Sequence, residues 1–292
     1  MKDKVVDLSV VIPYYFDAET LAEQLEALSK QSWDGSWEVI IADNGSGEAL
    51  HTILANYKDK LPSLRYTEAK RTPGAAHARN RGVEAAHGGK ILFTDADDVV
   101  ASGWLAAMAA ALEQHPFVAC RMDFEKLNPP VTLLGRNPHQ QTSLQNYTYP
   151  NFLPHAAGTS LGIRRSVHDA VGGFDEKMIK LQDTDYCWRI QLEGTPLVFV
   201  PDATVYYRLR GGMGLLIKQA FRYGKYNVIL YDRYRDRGMP HLTWRRGLRR
   251  WFYVFKTLPH VLEEERRLFW FWNAAFSWGR LVSSVSNRVL AL

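Results

Sequence analysis

Lys90-Ile-Leu-Phe-Thr-Asp-Ala-Asp-Asp98 is an apolar run that passes directly into three carboxylates. The segment WEVIIADNGS at 37–46 has the same form, because its apolar run ends at Asp43. A carboxylate at the carboxyl end of a buried strand points into the crevice where open α/β sheets bind ligands. Two acids one residue apart, such as Asp95 and Asp97, can hold a divalent cation that already carries phosphates. The pattern therefore predicts an enzyme that handles a nucleotide diphosphate.

A third acidic position, Asp183, lies in the segment KLQDTDYCWR at 180–189. Each acidic position has an ordinary explanation when it is taken alone. Asp-Asn-Gly-Ser at 43–46 is typical of a turn. Residues 95–98 could form a solvated loop before a helix, and Asp183 could be a helix N-cap. All three together, two of them at strand ends, favour a ligand site.

Length and composition indicate a globular protein. The chain has 292 residues, 46% of them hydrophobic, enough for one large α/β domain with an appendage or for two domains. Cys120 and Cys187 stand in no spacing typical of a metal site or a disulfide framework, so a cytoplasmic location is expected. The first apolar run is broken by Asp7 and predicts a strand rather than a signal peptide. The longest uncharged stretch of the tail, 268–279, is shorter than the roughly 20 residues of a spanning helix, so no transmembrane segment is expected.

The charge of the chain is unevenly distributed. Residues 213–292 contain 15 Lys and Arg against 5 Asp and Glu, together with five of the nine tryptophans. Such a basic, aromatic tail suits an anionic membrane surface, which would place the protein peripherally on the inner face of a membrane. Packing onto the rest of the chain or onto a second subunit, as a homodimer, explains the same residues equally well. Nucleic acid is not expected as a partner, because no motif that reads it accompanies the charge.

Strand and helix signals alternate along residues 8–200. The first strand signal stops at Pro13, and Asp17 follows as a helix cap before leucines at helical spacing, Leu21, Leu25 and Leu28. This alternation predicts an α/β fold with a mostly parallel central sheet flanked by helices. Residues 126–154 contain five prolines and predict a long connection. Beyond Gly214 the pattern is helical.

A set of ordered motifs resembles the family 2 glycosyltransferases of GT-A fold. The likeness covers about residues 7–208 and does not extend into the tail. An ordered set is more specific than any single motif. The motifs are Val11-Ile12-Pro13, Val39 to Ser46, Ala78-Arg79-Asn80-Arg81-Gly82, Thr94 to Asp98, Gly173-Phe174-Asp175-Glu176 and Gln182-Asp183-Thr184-Asp185.

The resemblance implies a GT-A catalytic domain at 1–212, which binds a nucleotide-diphosphate sugar, and a basic, aromatic helical region at 213–292. It also implies that a sugar is transferred to an acceptor hydroxyl with inversion at the anomeric carbon. UDP is favoured as the donor nucleotide, with GDP or dTDP as alternatives. The implied cofactor is a divalent cation, Mn²⁺ or Mg²⁺.

The resemblance also assigns roles to individual residues. Asp183 is the expected base. Asp95 and Asp97 form the family's Asp-x-Asp pair, with Asp95 nearer the ribose and Asp97 on the metal. The residues expected to contact the nucleotide are Pro13, Tyr14, Tyr15, Asp43, Arg79 and Asp95. The residues expected to border the donor sugar and the acceptor are Gly158, Thr159, Ser160 and Gln182.

Two segments depart from the family pattern. Gln182 stands where the family usually has Glu, and Val205-Tyr206-Tyr207-Arg208 stands where many members have a histidine metal ligand, so a third ligand is left open. A dinucleotide-binding oxidoreductase is disfavoured, because no Gly-x-Gly-x-x-Gly follows the first strand. The alternative function is a non-catalytic scaffold of the same fold that acts through its basic tail. Counting against that alternative are the carboxylates of Asp95, Asp97 and Asp183, which repel one another without a cation.

Overall fold

A computed structural model describes residues 6–46, 49–133, 138–147, 150–209 and 211–291. The chain divides into two compact units. The first comprises residues 1–126, 139–145 and 154–208, and the second comprises residues 127–138, 146–153 and 209–292. All residues that the sequence marks as site residues belong to the first unit.

The strands all lie in the first unit, together with six of the helices found in the described residues. The strands are β1 (Leu8–Tyr14), β2 (Trp37–Asp43), β3 (Leu64–Glu68), β4 (Lys90–Phe93), β5 (Val99–Val100), β6 (Phe117–Asp123), β7 (Leu161–Arg164) and β8 (Val198–Tyr206). The helices are α1 (Ala18–Ser29), α2 (Ala49–Tyr57), α3 (Ala75–Ala85), α4 (Trp104–Gln114), α6 (Arg165–Ala170) and α7 (Gln182–Leu192). A short 3₁₀ turn, Gly158–Ser160, precedes β7.

The strands form one mixed sheet with the order β3-β2-β1-β4-β7-β6-β8-β5. Strands β1 to β4 are parallel, β7 is antiparallel to both of its neighbours, and β8 is parallel to β6. The chain builds outward from β1 through β2 to β3 and then returns to the other side of β1 for β4. The carboxyl ends of β1 and β4 therefore form a topological switch point, where open α/β sheets bind their ligands. The fold agrees with the α/β architecture that the sequence predicts.

Helices cover both faces of this sheet, which explains why β2 is buried along its whole length. On one face, the leucines of α1 and the apolar side of α4 pack in a cluster with Val10, Ile12 and Val39. On the other face, α3 and α7 pack with Val11, Ile40 and Phe93. These two layers fix the strand ends that carry the acidic residues.

The second unit is helical in its described residues. It contains α5 (Pro130–Leu133), α8 (Met213–Tyr234), α9 (Trp244–Lys256) and α10 (Glu264–Asn287). Helices α8 and α10 approach closely through Gly224 and Gly279, since a Cβ on either glycine would lie 2.1 Å from a carbonyl oxygen of the opposite helix. No helix among the described residues combines the length and the hydropathy needed to cross a membrane.

Candidate active site

The carboxyl ends of three neighbouring strands meet at one edge of the sheet. β2 ends at Asp43, β1 ends at Tyr14, and Asp95 follows the end of β4 by two residues. Tyr14 and Asp43 are paired across the two strands. Because β1, β2 and β4 are parallel neighbours, the residues that follow them lie at the same edge.

The Asp43 carboxylate is buried and closes the turn after β2. Its Oδ1 accepts hydrogen bonds from the Ser46 N–H at 2.8 Å, the Gly45 N–H at 3.0 Å and the Ser46 hydroxyl at 2.5 Å. Burial favours the neutral acid, but these hydrogen bonds outweigh burial, and the pKa of Asp43 is below its ordinary value. The turn therefore uses Oδ1, while Oδ2 lies 4.0 Å from Lys70 Nζ and is the oxygen available to a ligand.

Aromatic residues extend from the end of β1. Tyr14 is buried in the apolar core, and burial raises its pKa. Tyr15 and Phe16 are largely exposed and contact each other edge to face, with ring centroids 4.9 Å apart. Phe16 has a backbone φ of 60°, a left-handed conformation that residues other than glycine rarely adopt. Tyr15 and Phe16, rather than Tyr14, thus offer the aromatic surface that follows Pro13.

Asp95, Asp97 and Asp98 form an acidic triad in the loop after β4. One carboxylate oxygen of each lies within 4.8 Å of the others. Asp95 and Asp97 are half-buried, whereas Asp98 is fully buried. Burial and the neighbouring carboxylates of Asp97 and Asp95 raise the pKa of Asp98 well above its ordinary value. The donor set, three hard oxygen ligands in mutual repulsion, fits a divalent cation.

Arg208 holds the loop that carries the acidic triad. Its N–H donates to Asp98 Oδ1 at 2.9 Å, its Nε donates to the Asp97 carbonyl at 2.9 Å, and its guanidinium also pairs with Glu23. Arg208 belongs to the segment in which the sequence leaves a histidine ligand open. Among the described residues, no histidine joins the triad.

Buried polar side chains fix the same loop from inside the fold. Gln24 of α1 donates from Nε2 to the Thr94 hydroxyl at 2.7 Å. The Thr159 hydroxyl accepts the N–H of Asp95 at 3.0 Å. Thr159 and Ser160 are both buried, and Ser160 donates to a carbonyl three residues earlier. The Thr159 hydroxyl therefore supports the acidic loop and the Ser160 hydroxyl supports its own turn, and their contact with a sugar stays a prediction.

Arg79 is buried on α3 and bonds to the acidic triad. Its Nη2 donates to Asp95 Oδ1, and its guanidinium lies over the ring of Phe174, 5.5 Å from the centroid. Gly158 leaves room for this group, because a Cβ there would lie 2.7 Å from Arg79 Cζ. The Nε and Nη1 atoms of Arg79 have no hydrogen-bond partner among the described residues. A buried cation with unused donors is suited to an anionic ligand.

Asn80, the next residue of the same motif, fixes a second loop. Its Oδ1 accepts the N–H of Phe174 at 2.8 Å, and its Nδ2 donates to the Phe174 carbonyl at 2.9 Å and to Glu176 Oε1 at 3.0 Å. The Phe174 ring stacks on Tyr186 of α7 with centroids 4.0 Å apart. One turn of α3 therefore links the acidic triad to the loop that leads into α7.

Asp183 lies in the first turn of α7, whose first residue is Gln182. Asp183 Oδ2 accepts the N–H of Gly158 at 3.2 Å, and its Oδ1 accepts the N–H of Thr184 at 2.9 Å. The carboxylate is half-buried, as is Gln182. Through Gly158 and Arg79, a continuous set of contacts runs from Asp183 to Asp95. The structure thus brings four residues that the sequence predicts, Asp183, Gly158, Arg79 and Asp95, into one site.

Comparison with known proteins identifies the chain. The model of glycosyl transferase family 2 matches residues 9–172, more than half of the chain. The chain belongs to this family. Glycosyltransferase AglE of Haloferax volcanii is 25% identical over 265 residues, which are 89% of this chain and 85% of AglE. Two further relatives are longer proteins, and the matches cover 30% and 36% of their lengths.

Solved structures share the fold. A mannosyltransferase from Pyrobaculum calidifontis, in complex with GDP-Man and Mn²⁺, matches with a TM-score of 0.64 at 17% identity, over 94% of this chain and 86% of that chain. Residues 1–349 of TarS from S. aureus, in complex with UDP, match with a TM-score of 0.55 at 18% identity, over 97% of this chain and 91% of that chain. The family assignment and the GT-A fold predicted from the motifs are confirmed, and the chain is a glycosyltransferase.

Several supporting residues of this family 2 site are absent from the sequence prediction. Gln24 and Arg208 carry no signal, because each lies far along the chain from the loop that it holds. Asp98 carries a signal, since it adjoins Asp97, but the Asp-x-Asp pattern alone does not include it. Asp185 is buried and pairs with Arg189, with Oδ2 2.8 Å from Nε, and so lies apart from Asp183.

Proposed function

We propose that this family 2 glycosyltransferase transfers a sugar from a nucleotide-diphosphate sugar to an acceptor hydroxyl with inversion at the anomeric carbon. We place UDP first as the donor nucleotide, with GDP or dTDP as alternatives. The observation that carries the proposal is the connected set of Asp95, Arg79, Gly158 and Asp183 beside the acidic triad. These contacts support the assignment of a cation-binding group and a carboxylate base to one site.

We assign the acidic triad to a divalent cation, Mn²⁺ or Mg²⁺, with Asp97 and Asp95 as the main ligands. When bound, such a cation supplies positive charge that offsets the charge growing on the departing diphosphate. Asp98 accepts the Arg208 backbone N–H from a buried position and would support the loop that carries the two ligands. The related mannosyltransferase structure, which contains Mn²⁺, supports this assignment.

We assign the nucleotide to the edge formed by β1, β2 and β4. Tyr15, with Pro13 and the covered Tyr14 behind it, would contact the nucleoside, and Asp43 would accept a hydrogen bond from the base or the ribose through Oδ2. Arg79 would place its buried positive charge near the negative charge of the donor, and its hydrogen bond to Asp95 would keep it in place. Charge-assisted hydrogen bonds of this kind are about twice as strong as neutral ones.

We assign Asp183 as the base that takes the proton of the acceptor hydroxyl. A carboxylate has about four lone-pair positions, two on each oxygen. In Asp183, a backbone N–H group occupies one position on Oδ2 and another backbone N–H group occupies one position on Oδ1. The remaining positions can accept from a hydroxyl. Asp183 lies in the first turn of α7, near the positive end of the helix dipole. Gln182 and the backbone at Gly158 would border the sugar and the acceptor.

Replacing Gly158 with Ala should reduce kcat/KM for the donor by about 10-fold to 10²-fold, the range expected when a positioned group moves by about 1 Å. The added methyl group would overlap Arg79, which is buried and cannot swing into solvent. Steady-state kinetics of the two proteins measure the effect. Gly89→Ala is the matched control, because a Cβ at Gly89 meets no atom within 4 Å. An equal loss of kcat/KM in Gly158→Ala and Gly89→Ala would show that the Gly158–Arg79 contact has no role in donor use.

A turnover assay with a panel of UDP, GDP and dTDP sugars tests the proposed function. In the presence of Mn²⁺ or Mg²⁺, release of nucleoside diphosphate is expected from one donor class, with water as a slow acceptor. Proton NMR at early times should give a free sugar whose anomeric configuration is opposite to that of the donor. A retained configuration would contradict inversion. No release from any donor by the folded protein would favour the non-catalytic scaffold that the Gln182 departure suggests.

We further propose that the acceptor is presented at a membrane and that the protein attaches peripherally on the cytoplasmic face. The basic, aromatic region 213–292 supports this proposal. A homodimer that buries the same region is the alternative.

A further inference from the structure

Helix α9 has an apolar side and a basic side. At about 100° per residue, its apolar side chains occupy one arc of roughly half the circumference, and its basic side chains occupy the other. The apolar arc contains Trp244, Leu248, Trp251, Phe252, Val254 and Phe255, and the basic arc contains Arg245, Arg246, Arg249, Arg250 and Lys256. Such an arrangement is typical of helices that lie between a polar and an apolar medium.

One edge of the apolar arc packs within the second unit. Val254 is buried, and its carbonyl accepts the Trp270 Nε1–H of α10 at 2.9 Å. Arg250 Nε donates to the Ser277 hydroxyl at 2.7 Å, and its guanidinium lies over the ring of Phe276. These contacts fix the rotation of α9 about its own axis, so that the rest of its apolar arc has a defined direction.

The rest of the apolar arc is exposed and forms a continuous row. Its members are Trp244, Leu248, Phe252 and Phe255, with exposed fractions between 54% and 68%. They are spaced four, four and three residues apart, which places them along one side of the helix. Single exposed apolar residues are common in proteins, but a row of large ones along a fixed helix indicates an interaction surface.

Basic residues lie directly beside this exposed row. By helical position, Phe252 is followed around the helix by a basic row, which consists of Arg245, Lys256 and Arg249. Residues 237–262 contain no Asp or Glu. The nearest acids on the carboxyl side already have partners, since Glu263 pairs with Arg266 and Glu264 pairs with Arg267. Residues 237–262 thus supply no negative charge to this surface, and a partner of opposite charge fits it.

We propose that α9 lies in the surface of an anionic lipid bilayer. The exposed row would enter the boundary between headgroups and acyl chains, and the basic row would face the lipid phosphates. Indole and phenyl rings are stable at this depth. A second copy of the chain fits less well, because two basic rows without acids would meet. Nucleic acid would engage the basic row but leave the apolar row uncovered. The proposal concerns the second unit alone and does not rest on the proposed sugar transfer.

Co-sedimentation of the full chain with vesicles tests the proposal. One vesicle sample contains equal parts of phosphatidylglycerol and phosphatidylcholine, and the other contains phosphatidylcholine only. We expect binding to the anionic vesicles at low salt, weaker binding at high salt because of screening, and little binding to neutral vesicles. A basic side chain near such a surface contributes about fivefold in partitioning.

Two double variants separate the apolar contribution from the basic one. Arg245→Glu with Arg249→Glu should weaken partitioning by at least about 25-fold. Leu248→Ser with Phe252→Ser should weaken it by at least about tenfold at unchanged net charge. Lys58→Glu with Lys126→Glu, two exposed lysines of the first unit, is the control of equal charge change and should keep most of the binding. Circular dichroism melts identify any variant that fails to fold, and turnover of the proposed reaction is measured separately.

Three results would overturn the proposal. The first is absence of binding to anionic vesicles at low salt. The second is vesicle binding that both α9 variants retain at the level of the lysine control. The third is that the wild-type protein does not bind vesicles but self-associates or binds duplex DNA, and that the α9 variants lose this association. A negative result in the vesicle experiments does not affect the interpretation of the turnover assay, because that assay uses water as the acceptor.

Discussion

Asp183→Asn is expected to lower the rate of sugar transfer by about 10²-fold or more while donor affinity barely changes. The amide has nearly the same size as the carboxylate, and its oxygen can still accept the Gly158 N–H that now bonds to Asp183 Oδ2. What the amide cannot do is accept a proton from the acceptor hydroxyl. The measurement is kcat for the best donor, together with the donor dissociation constant from calorimetry.

Asp169→Asn is the matched control for this prediction. Asp169 is an exposed carboxylate of the same unit, on α6, outside the site. Its replacement should leave both kcat and donor affinity unchanged. Near-normal turnover of Asp183→Asn would remove Asp183 from the mechanism. A large loss of donor affinity in Asp183→Asn would instead indicate that Asp183 binds the donor and is not the base.

Asp97→Ala should weaken cation-dependent binding of a nucleoside diphosphate by at least about tenfold and leave binding of the nucleoside unchanged. The cation contacts phosphate oxygens, so losing a ligand for it matters only when phosphates are present. The fold should tolerate this change, because Asp97 is half-buried and the hydrogen bond from Arg208 Nε to its backbone carbonyl is retained in the variant. Calorimetry with UDP and with uridine, each in Mn²⁺, measures the two affinities.

Asp59→Ala removes an exposed carboxylate of the same unit and serves as the control. Its affinity for UDP should equal that of the wild-type protein. An equal loss of UDP and uridine binding in Asp97→Ala would mean that the variant disturbs the nucleoside pocket. Unchanged UDP binding in Asp97→Ala would exclude Asp97 as a ligand.

The strand ends that carry the site could be predicted from the sequence, because the side chain pattern and the topology both follow from local rules. An apolar run that ends in Asp43 or Asp95 is a buried strand with a carboxylate at its carboxyl end. Parallel strands share that edge, so the two acids had to lie near each other. The order of the motifs indicates that the chain belongs to glycosyl transferase family 2, which the family model confirms.

The mixed half of the sheet was not predictable to the same degree. β5 has only two residues, too few for any periodicity to appear. The apolar run at 197–200 ends before Pro201, but β8 continues to Tyr206. The pairing of β6 with β8 shifts register at this point, and an irregular stretch needs no ladder hydrogen bond from proline.

The contacts that connect the site also lie beyond sequence reasoning. Gly158 is a small residue in the sequence, and only the structure shows that Arg79 occupies the space where its Cβ would be. Likewise, Thr159 has the chemistry of a sugar ligand, yet its hydroxyl accepts the N–H of Asp95 inside the fold. Such pairs are separated by more than 60 residues, and no local pattern encodes them.

Calorimetric titration of the wild-type protein with UDP, GDP and dTDP, in Mn²⁺ and again in EDTA, tests most directly whether the acidic edge is a cation-dependent nucleotide site. At least one of these nucleotides should bind in Mn²⁺, and its affinity should fall by at least about tenfold in EDTA. Equal affinity in Mn²⁺ and in EDTA, or binding of none of the three nucleotides, would contradict the account.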